Sequence, residues 1–294
     1  MSIRKFSFTT AIAIVIANMI GTGVFTSLGF QLLDIQSTFV VMMLWLIGGV
    51  TALCGALTYA ELGTRLPRSG GEYNFLTEIY HPGAGFVSGW ISATVGFAAP
   101  TALAAMTFGA YLEASLPGLS STVMASILVI GLTIAHAYSR AASGGIQTVF
   151  TIIKVILVLV FVALVAIAVE SPQPVSLLPA EGDGTLMLSS AFAVSLIYVN
   201  YAFTGWNAAT YIISEVEEPR KNIPIILFVG TLTVLLLYLM LNYTFLYAAP
   251  IQAMEGKLEI GVIVARYAFG ETGGMIMGVV LATLLISTVS AMII

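Results

Sequence analysis

The chain has 294 residues, of which 59% are hydrophobic and 8% are charged, and its formal net charge is −4. Soluble domains carry about 45–50% apolar and about 25% charged residues, so this composition, with a mean hydropathy of +1.03, excludes a soluble protein and indicates an integral membrane protein. The charges form no like-charge run, so no nucleic-acid partner is predicted. Cys54 is the single cysteine, which excludes an internal disulfide.

Eight segments are apolar over a window of about 19 residues and are predicted to span the membrane as helices. They cover residues 6–30, 38–63, 83–113, 120–138, 145–169, 186–214, 223–248 and 272–294. The joints between them are polar, and none is predicted to form a second domain. We therefore predict one all-α integral membrane domain over residues 1–294.

Basic residues predict the orientation of these spans. One side of the alternating arrangement carries Arg4, Lys5, Arg65, Arg68, Arg140, Arg220 and Lys221, whereas the other carries Lys257 and Arg266. Because cytoplasmic loops are enriched in Lys and Arg, the N-terminus is predicted to be cytoplasmic. The chain is then a multi-pass protein of the cell membrane.

The first span contains the sequence ANMIGTGVFTS, with Gly21, Thr22 and Gly23 inside an otherwise apolar run. Close packing against a neighbouring helix is one explanation for such glycines. A helix break is the other, and a second interruption, YAFTGWN at residues 201–207, favours it. Interruptions at matching places in two halves point to a substrate site at the middle of the membrane in carriers built from inverted repeats.

Two broken helices suit a zwitterion. The helix that begins near Gly23 directs amides and a positive dipole end at an anion, and freed carbonyls near Met19 and Ile20 accept hydrogen bonds from an ammonium. Neither break contains a charged side chain. A free amino acid therefore matches these two poles.

Four motifs in order resemble the amino acid/polyamine/organocation superfamily of transporters, and within it the branch of the L-type amino acid transporters. Gly21–Phe25 is similar to the family's G-[ST]-G-[IV]-F, and YAFTGWN is similar to its F-A-[YF]-x-G-W-N. LPRSGGEYNFL is similar to P-x-x-G-G-x-Y, and EVEEPRKNIP to E-x-x-x-P-x-x-x-I-P. The resemblance covers essentially the whole chain.

The resemblance implies a LeuT-like fold of two inverted five-helix repeats and two further helices. Residues 1–170 correspond to the first repeat, and residues 186–294 to an incomplete second repeat. Helices 1 and 6 are the broken ones. Since the chain reaches only the eighth of twelve spans, it is expected to be a C-terminally truncated member or a fragment.

The resemblance also assigns residues to the substrate. The carboxylate is expected at the amides of Thr22 and Gly23 next to Gly21, and the ammonium at the carbonyls of Met19, Ile20, Tyr201 and Thr204. Tyr201 takes the place of an aromatic lid, where relatives often have phenylalanine. Thr204 replaces a smaller residue and narrows the pocket, whose remaining residues on the second break are Phe203 and Gly205.

Lys154 is the only basic residue deep within a span, about 14 Å along its helix at 1.5 Å per residue. Snorkelling to the inner surface is the alternative to a functional role. In sodium-independent relatives a lysine here takes the place of a sodium ion between helices 1 and 8, so Lys154 is expected to contact carbonyls near Gly21 and the Ser287 hydroxyl. The buried amine is also a candidate proton carrier.

Other polar and kinking residues each allow two interpretations or a structural one. Pro100 is predicted to kink the third span, either toward the pocket or only for packing. Trp206 and Asn207 either brace the second break or pack beside it. Glu61 is expected to form an ion pair with Arg65 at the inner surface rather than to carry a proton. His81 and His136 stand too far apart to suggest a metal site.

The sequence therefore predicts a secondary amino acid carrier with alternating access, sodium-independent, working by exchange or by proton coupling. A carrier of polyamines or organic cations is the alternative, as is a truncated, non-transporting membrane protein. No nucleophile-base set, HExxH, phosphate loop or cysteine cluster indicates an enzyme or a cofactor. The joint ASLPGLSST has no cysteine, so no disulfide-linked partner subunit is expected.

Overall fold

The computed structural model describes residues 6–116, 118–138 and 143–293, apart from the side chains of residues 136, 138, 143–150, 287 and 291. The described part is helical throughout, and its one β-bridge joins Phe6 to Val216. Its α-helices are α1 Phe8–Met19, α2 Gly23–Gln31, α3 Thr38–Arg65, α4 Gly71–Ile79, α5 Pro82–Ile91, α6 Ala98–Ser115, α7 Ser121–Tyr138, α8 Ser143–Ala168, α9 Asp183–Met187, α10 Ser190–Ala202, α11 Pro219–Ala248, α12 Ile251–Met254 and α13 Ile260–Ile293. A π-helix, Ser92–Phe97, joins α5 to α6, and a 3₁₀ helix, Ala208–Glu215, follows α10.

Six segments of the described part are long and apolar enough to cross a membrane. They are Phe8–Gln31, Thr38–Arg65, Pro82–Ser115, Thr151–Ala168, Pro219–Ala248 and Ile260–Ser290. Of the remaining two predicted spans, 120–138 contains the shorter apolar helix Ser121–Ala135, and 186–214 contains Ser190–Ala202. Prediction of membrane-spanning helices is thus confirmed for six segments.

The first predicted interruption separates α1 from α2. The Ser7 side chain caps the start of α1 by accepting a hydrogen bond from the Thr10 amide, and Ile20 leaves helical geometry with ψ of 85°. A Cβ on Gly23 would lie 2.5 Å from the Ala202 Cα atom, so the start of α2 packs directly on the end of α10. Both explanations for Gly23, close packing and a helix break, therefore apply.

The second interruption follows α10. Gly205 has a φ of +103°, and a Cβ there would lie 2.8 Å from the carbonyl carbon and oxygen of Asn18. A side chain is disfavoured at that position by both the backbone conformation and the contact. The two breaks are therefore neighbours, because α1 and α10 end against each other.

The prediction of a polar joint over residues 250–270, between the last two spans, is partly wrong. Helix α13 already begins at Ile260 and continues past Gly270, whose φ of 73° marks a local interruption. Arg266, which lowers the hydropathy of this segment, donates to the Ala114 carbonyl at 3.0 Å. Its charge is thus accommodated at the C-terminal end of α6 while neighbouring apolar residues such as Val264 are fully buried.

Polar contacts join the segments on the side predicted to be cytoplasmic. The Ser69 and Ser214 hydroxyl oxygens lie 3.0 Å apart, and the Phe6 amide donates to the Glu215 carbonyl at 2.6 Å. The expected ion pair between Glu61 and Arg65 is confirmed, with an N–O distance of 2.8 Å. The first two contacts attach the segment before α1 and the segment after α3 to the 3₁₀ helix.

Candidate functional site between two broken helices

The start of α2 leaves backbone donors without partners. The amides of Thr22, Gly23 and Val24 have no hydrogen-bond acceptor among the described residues, and all three residues are buried. Buried backbone donors are nearly always paired in native proteins. Their grouping at a helix N-terminus, where the helix dipole is positive, creates a site suited to an anion.

The freed carbonyls of the two breaks meet at Tyr238 of α11. Its fully buried hydroxyl lies 2.5 Å from the Met19 carbonyl oxygen and 3.0 Å from that of Ala202. Its ring packs against Trp45 and Phe203, with centroid distances of 5.5 Å and 5.0 Å. Tyr238 therefore joins the end of α1 to the end of α10 from inside the bundle.

Substitution of Tyr238 by phenylalanine should weaken this junction. Because the change leaves two buried carbonyls without the hydroxyl donor, we expect a loss of stability of about 1–3 kcal/mol and weaker substrate binding. Thermal unfolding of the purified protein measures the first effect. Tyr243→Phe, on the same helix but at a half-exposed ring, is the control. Equal stability of the two variants would contradict a stabilising role for the Tyr238 hydroxyl.

The third freed carbonyl, that of Ile20, accepts a hydrogen bond from Lys154. Its side chain is only 2% exposed, and its ammonium donates to the Ile20 carbonyl at 3.3 Å and to the Thr288 hydroxyl at 2.7 Å. The lysine thus bridges the first break to α13 inside the bundle. The Ser287 side chain lies outside the described residues, and Thr288 is the hydroxyl found at this contact.

A cavity of about 310 Å³ lies along the second break, a volume at the lower end of the range for small-molecule sites. Its walls come from α1, the π-helix, the start of α6, the second break and the end of α13. It is lined by Asn18, Ser92, Gly96, Phe97, Pro100, Thr204, Gly205, Trp206, Asn207, Ala208, Tyr211 and Met292. No charged side chain is among the described residues that form this wall.

Pro100 contributes to the cavity through the helix irregularity that precedes it. Proline has no backbone N–H to donate to the residue four positions earlier, here Gly96, and the chain from Ser92 to Phe97 widens into a π-helix. Ser92, Gly96, Phe97 and Pro100 all line the cavity. Of the two explanations for Pro100, a kink toward the pocket agrees with this placement.

Several predicted substrate residues lie next to the cavity but not in its wall. Met19, Ile20, Gly21, Thr22 and Gly23 are buried at the first break, and Phe203 is only 1% exposed within the aromatic core. Tyr201 connects the two regions. Its side chain interacts with that of Thr22, and its carbonyl accepts a hydrogen bond of 2.7 Å from the hydroxyl of Thr204, which lines the cavity.

Glu72 of α4 contacts the cavity wall from outside it. Its carboxylate accepts a hydrogen bond from the Asn207 side-chain amide and another, at 2.5 Å, from the Tyr211 hydroxyl. Trp206 packs its ring against Tyr59 with a centroid distance of 4.8 Å. Asn207 is thus held by a carboxylate that the sequence pattern did not reveal, and the bracing of the second break by Asn207 and Trp206 stays a prediction.

The geometry can be compared with known proteins. The family model for amino acid permeases matches residues 6–294. The chain belongs to this amino acid permease family. Its members are membrane transport proteins and not enzymes, so the paired helix breaks belong to a permease.

Curated relatives are amino acid transporters of three types. The chain is similar to the Asc-type amino acid transporter 1 of Mus musculus, at 28% identity over 91% of this chain and 51% of the relative. It is similar to the large neutral amino acids transporter small subunit 2 of Rattus norvegicus, at 26% identity over the same shares. The b(0,+)-type amino acid transporter 1 of Mus musculus is 28% identical over 86% of this chain and 53% of the relative. The permease spans about half the length of the curated relatives it matches.

Proposed function

We propose that this permease carries amino acids across the cell membrane by sodium-independent secondary transport with alternating access. The observation that carries the proposal is the pair of adjacent helix breaks, one with three buried, unpartnered amides and the other with a cavity of about 310 Å³. The proposed fold is the LeuT-like one, with inverted repeats over residues 1–170 and 186–294 and the N-terminus in the cytoplasm. Cys54 lies within the predicted span α3, so no disulfide-linked partner is proposed.

The substrate binds as a zwitterion in this proposal. Its carboxylate meets the amides of Thr22 and Gly23, where the dipole of α2 favours negative charge. Its ammonium meets the carbonyls of Met19, Ile20, Tyr201 and Thr204. The Met19 carbonyl already accepts from the Gly21 amide and the Tyr238 hydroxyl, and the Tyr201 carbonyl from the Thr204 amide and hydroxyl, so both contribute mainly their partial negative charge. The Ile20 carbonyl accepts from Lys154 and has a second lone pair for the substrate.

Lys154 replaces a coupling sodium ion in this proposal. Its ammonium, between Ile20 and Thr288, supplies a fixed positive charge where an ion would otherwise bridge the two helices. Transport then proceeds without sodium, and it is driven either by exchange or by a proton gradient. Acidic residues, which would favour a polyamine substrate, are not among the described residues lining the cavity.

Uptake into proteoliposomes tests the proposal. We expect labelled L-alanine to enter at the same rate in sodium chloride and in choline chloride, because the lysine charge makes the ion unnecessary. An imposed pH gradient then separates proton coupling from exchange against internal amino acid. A strict sodium requirement would contradict the role of Lys154, and absence of both binding and flux would contradict amino acid transport.

A further inference from the structure

Glu72 forms a directional hydrogen-bond network with two residues of the cavity wall. A carboxylate only accepts hydrogen bonds, so the Asn207 group that faces Glu72 is the NH₂ group, and the Tyr211 hydroxyl must donate to the other carboxylate oxygen. The Asn207 nitrogen also lies 3.4 Å from the Tyr211 oxygen, which accepts its second N–H. Both donors of the Asn207 amide are therefore in use.

The remaining polar atom of this amide is its oxygen. Among the described residues none donates to Asn207 Oδ1, and Asn207 lines the cavity. Since Glu72 and Tyr211 hold the nitrogen, an amide flip would place an acceptor against a carboxylate and lose both hydrogen bonds. The orientation is thus fixed by Tyr211, in the 3₁₀ helix that follows Asn207, and by Glu72 of α4, which is not part of the cavity wall.

One other polar side chain of the wall has the same bias. Thr204 donates its hydroxyl hydrogen to the Tyr201 carbonyl at 2.7 Å, so only the lone pairs of this hydroxyl remain for a ligand, as acceptors. Asn18 donates one N–H to the Ile14 carbonyl at 2.8 Å and offers its oxygen together with its second N–H.

We infer that Glu72 is a positioning residue that fixes the Asn207 amide with its oxygen toward the cavity, so that the site favours amino acids whose side chain donates a hydrogen bond. The inference rests on the proposed function, because it assigns the side-chain end of the substrate to this cavity. Small amino acids with a hydroxyl group are the class that fits both the volume and the acceptors. Acidic side chains, which carry only acceptors when ionised, are disfavoured.

Competition with labelled L-alanine for binding to the purified protein tests the inference. L-Serine and L-2-aminobutyrate differ by a hydroxyl in place of a methyl group, so the ratio of their inhibition constants measures the donor preference. In E72Q the amide at position 72 both donates and accepts, which permits either orientation of Asn207. We expect the preference for serine to fall about threefold to tenfold, the effect of one hydrogen bond. E78Q, on the same helix but in an exposed ion pair with Arg68, should leave the ratio unchanged.

A second pair of variants separates orientation from folding. N207D places two carboxylates in contact and should lose binding through repulsion. The double variant E72Q/N207D reverses the hydrogen bond, keeps the net charge of the pair and again leaves an oxygen toward the cavity, so binding should return. An E72Q ratio equal to that of E78Q, or a double variant no better than N207D, would overturn the inference alone. Failure of the wild-type protein to bind alanine would instead overturn the proposed function and the inference with it.

Discussion

Substitution of Lys154 by methionine should reduce amino acid transport about tenfold to hundredfold. Methionine keeps much of the side-chain length but removes the ammonium, so the Ile20 carbonyl and the Thr288 hydroxyl lose their shared donor. Hydrogen bonds to charged groups contribute about 1.5–3 kcal/mol, and each 1.4 kcal/mol corresponds to about a tenfold change in an equilibrium constant. Because Ile20 belongs to the first break, the loss acts on the substrate site itself.

Initial rates of alanine uptake into proteoliposomes measure this effect, at equal amounts of correctly folded protein judged by gel filtration. Lys257→Met, which changes an exposed lysine of the joint before α13, is the matched control and should transport normally. If Lys154→Met transported as fast as Lys257→Met, the bridge between the first break and α13 would have no part in transport.

Substitution of Gly205 by valine should prevent the two breaks from meeting. A β-branched residue at a φ of +103° is strained, and its Cβ would lie 2.8 Å from the Asn18 carbonyl group. Left-handed backbone costs about 1–2 kcal/mol for a side-chain-bearing residue, and overpacking adds about 1–3 kcal/mol. We therefore expect a loss of roughly 2–5 kcal/mol in stability together with loss of alanine binding.

Thermal unfolding and alanine binding of the purified variant are the measurements. Gly131→Ala provides the control, because a Cβ at Gly131 of α7 meets nothing within 4 Å and alanine is the better helix former. That variant should be as stable as the wild type or slightly more so. A Gly205→Val protein with unchanged unfolding and binding would show that the contact with Asn18 is not required.

The two interruptions were predictable because their cause is local. Gly21, Gly23 and Gly205 stand in apolar spans where a glycine weakens the helix by about 1 kcal/mol, and the same pattern in two spans indicated a shared purpose. Lys154 was predictable for a similar reason, since a charge in a long apolar helix must find partners inside the protein. Its ammonium donates to the Ile20 carbonyl at the first break, and its role in transport stays a prediction.

The walls of the cavity were harder to predict because they depend on contacts between distant segments. Asn18 and Tyr238 lie in apolar helices like many polar residues that only pack, and their partners come from other helices. Glu72 lies in a polar joint, where a glutamate gives no signal of its own. The hydroxyl that Lys154 contacts, that of Thr288, comes from a helix distant in sequence, and the side chain of Ser287, the predicted contact, lies outside the described residues.

The proposed function depends above all on binding of an amino acid carboxylate by the amides at the start of α2. A structure of the protein with L-alanine bound tests this binding. We expect the carboxylate oxygens about 3 Å from the backbone nitrogens of Thr22 and Gly23, with the side chain toward Asn207. Alanine bound elsewhere, with these amides paired to protein carbonyls, would contradict it.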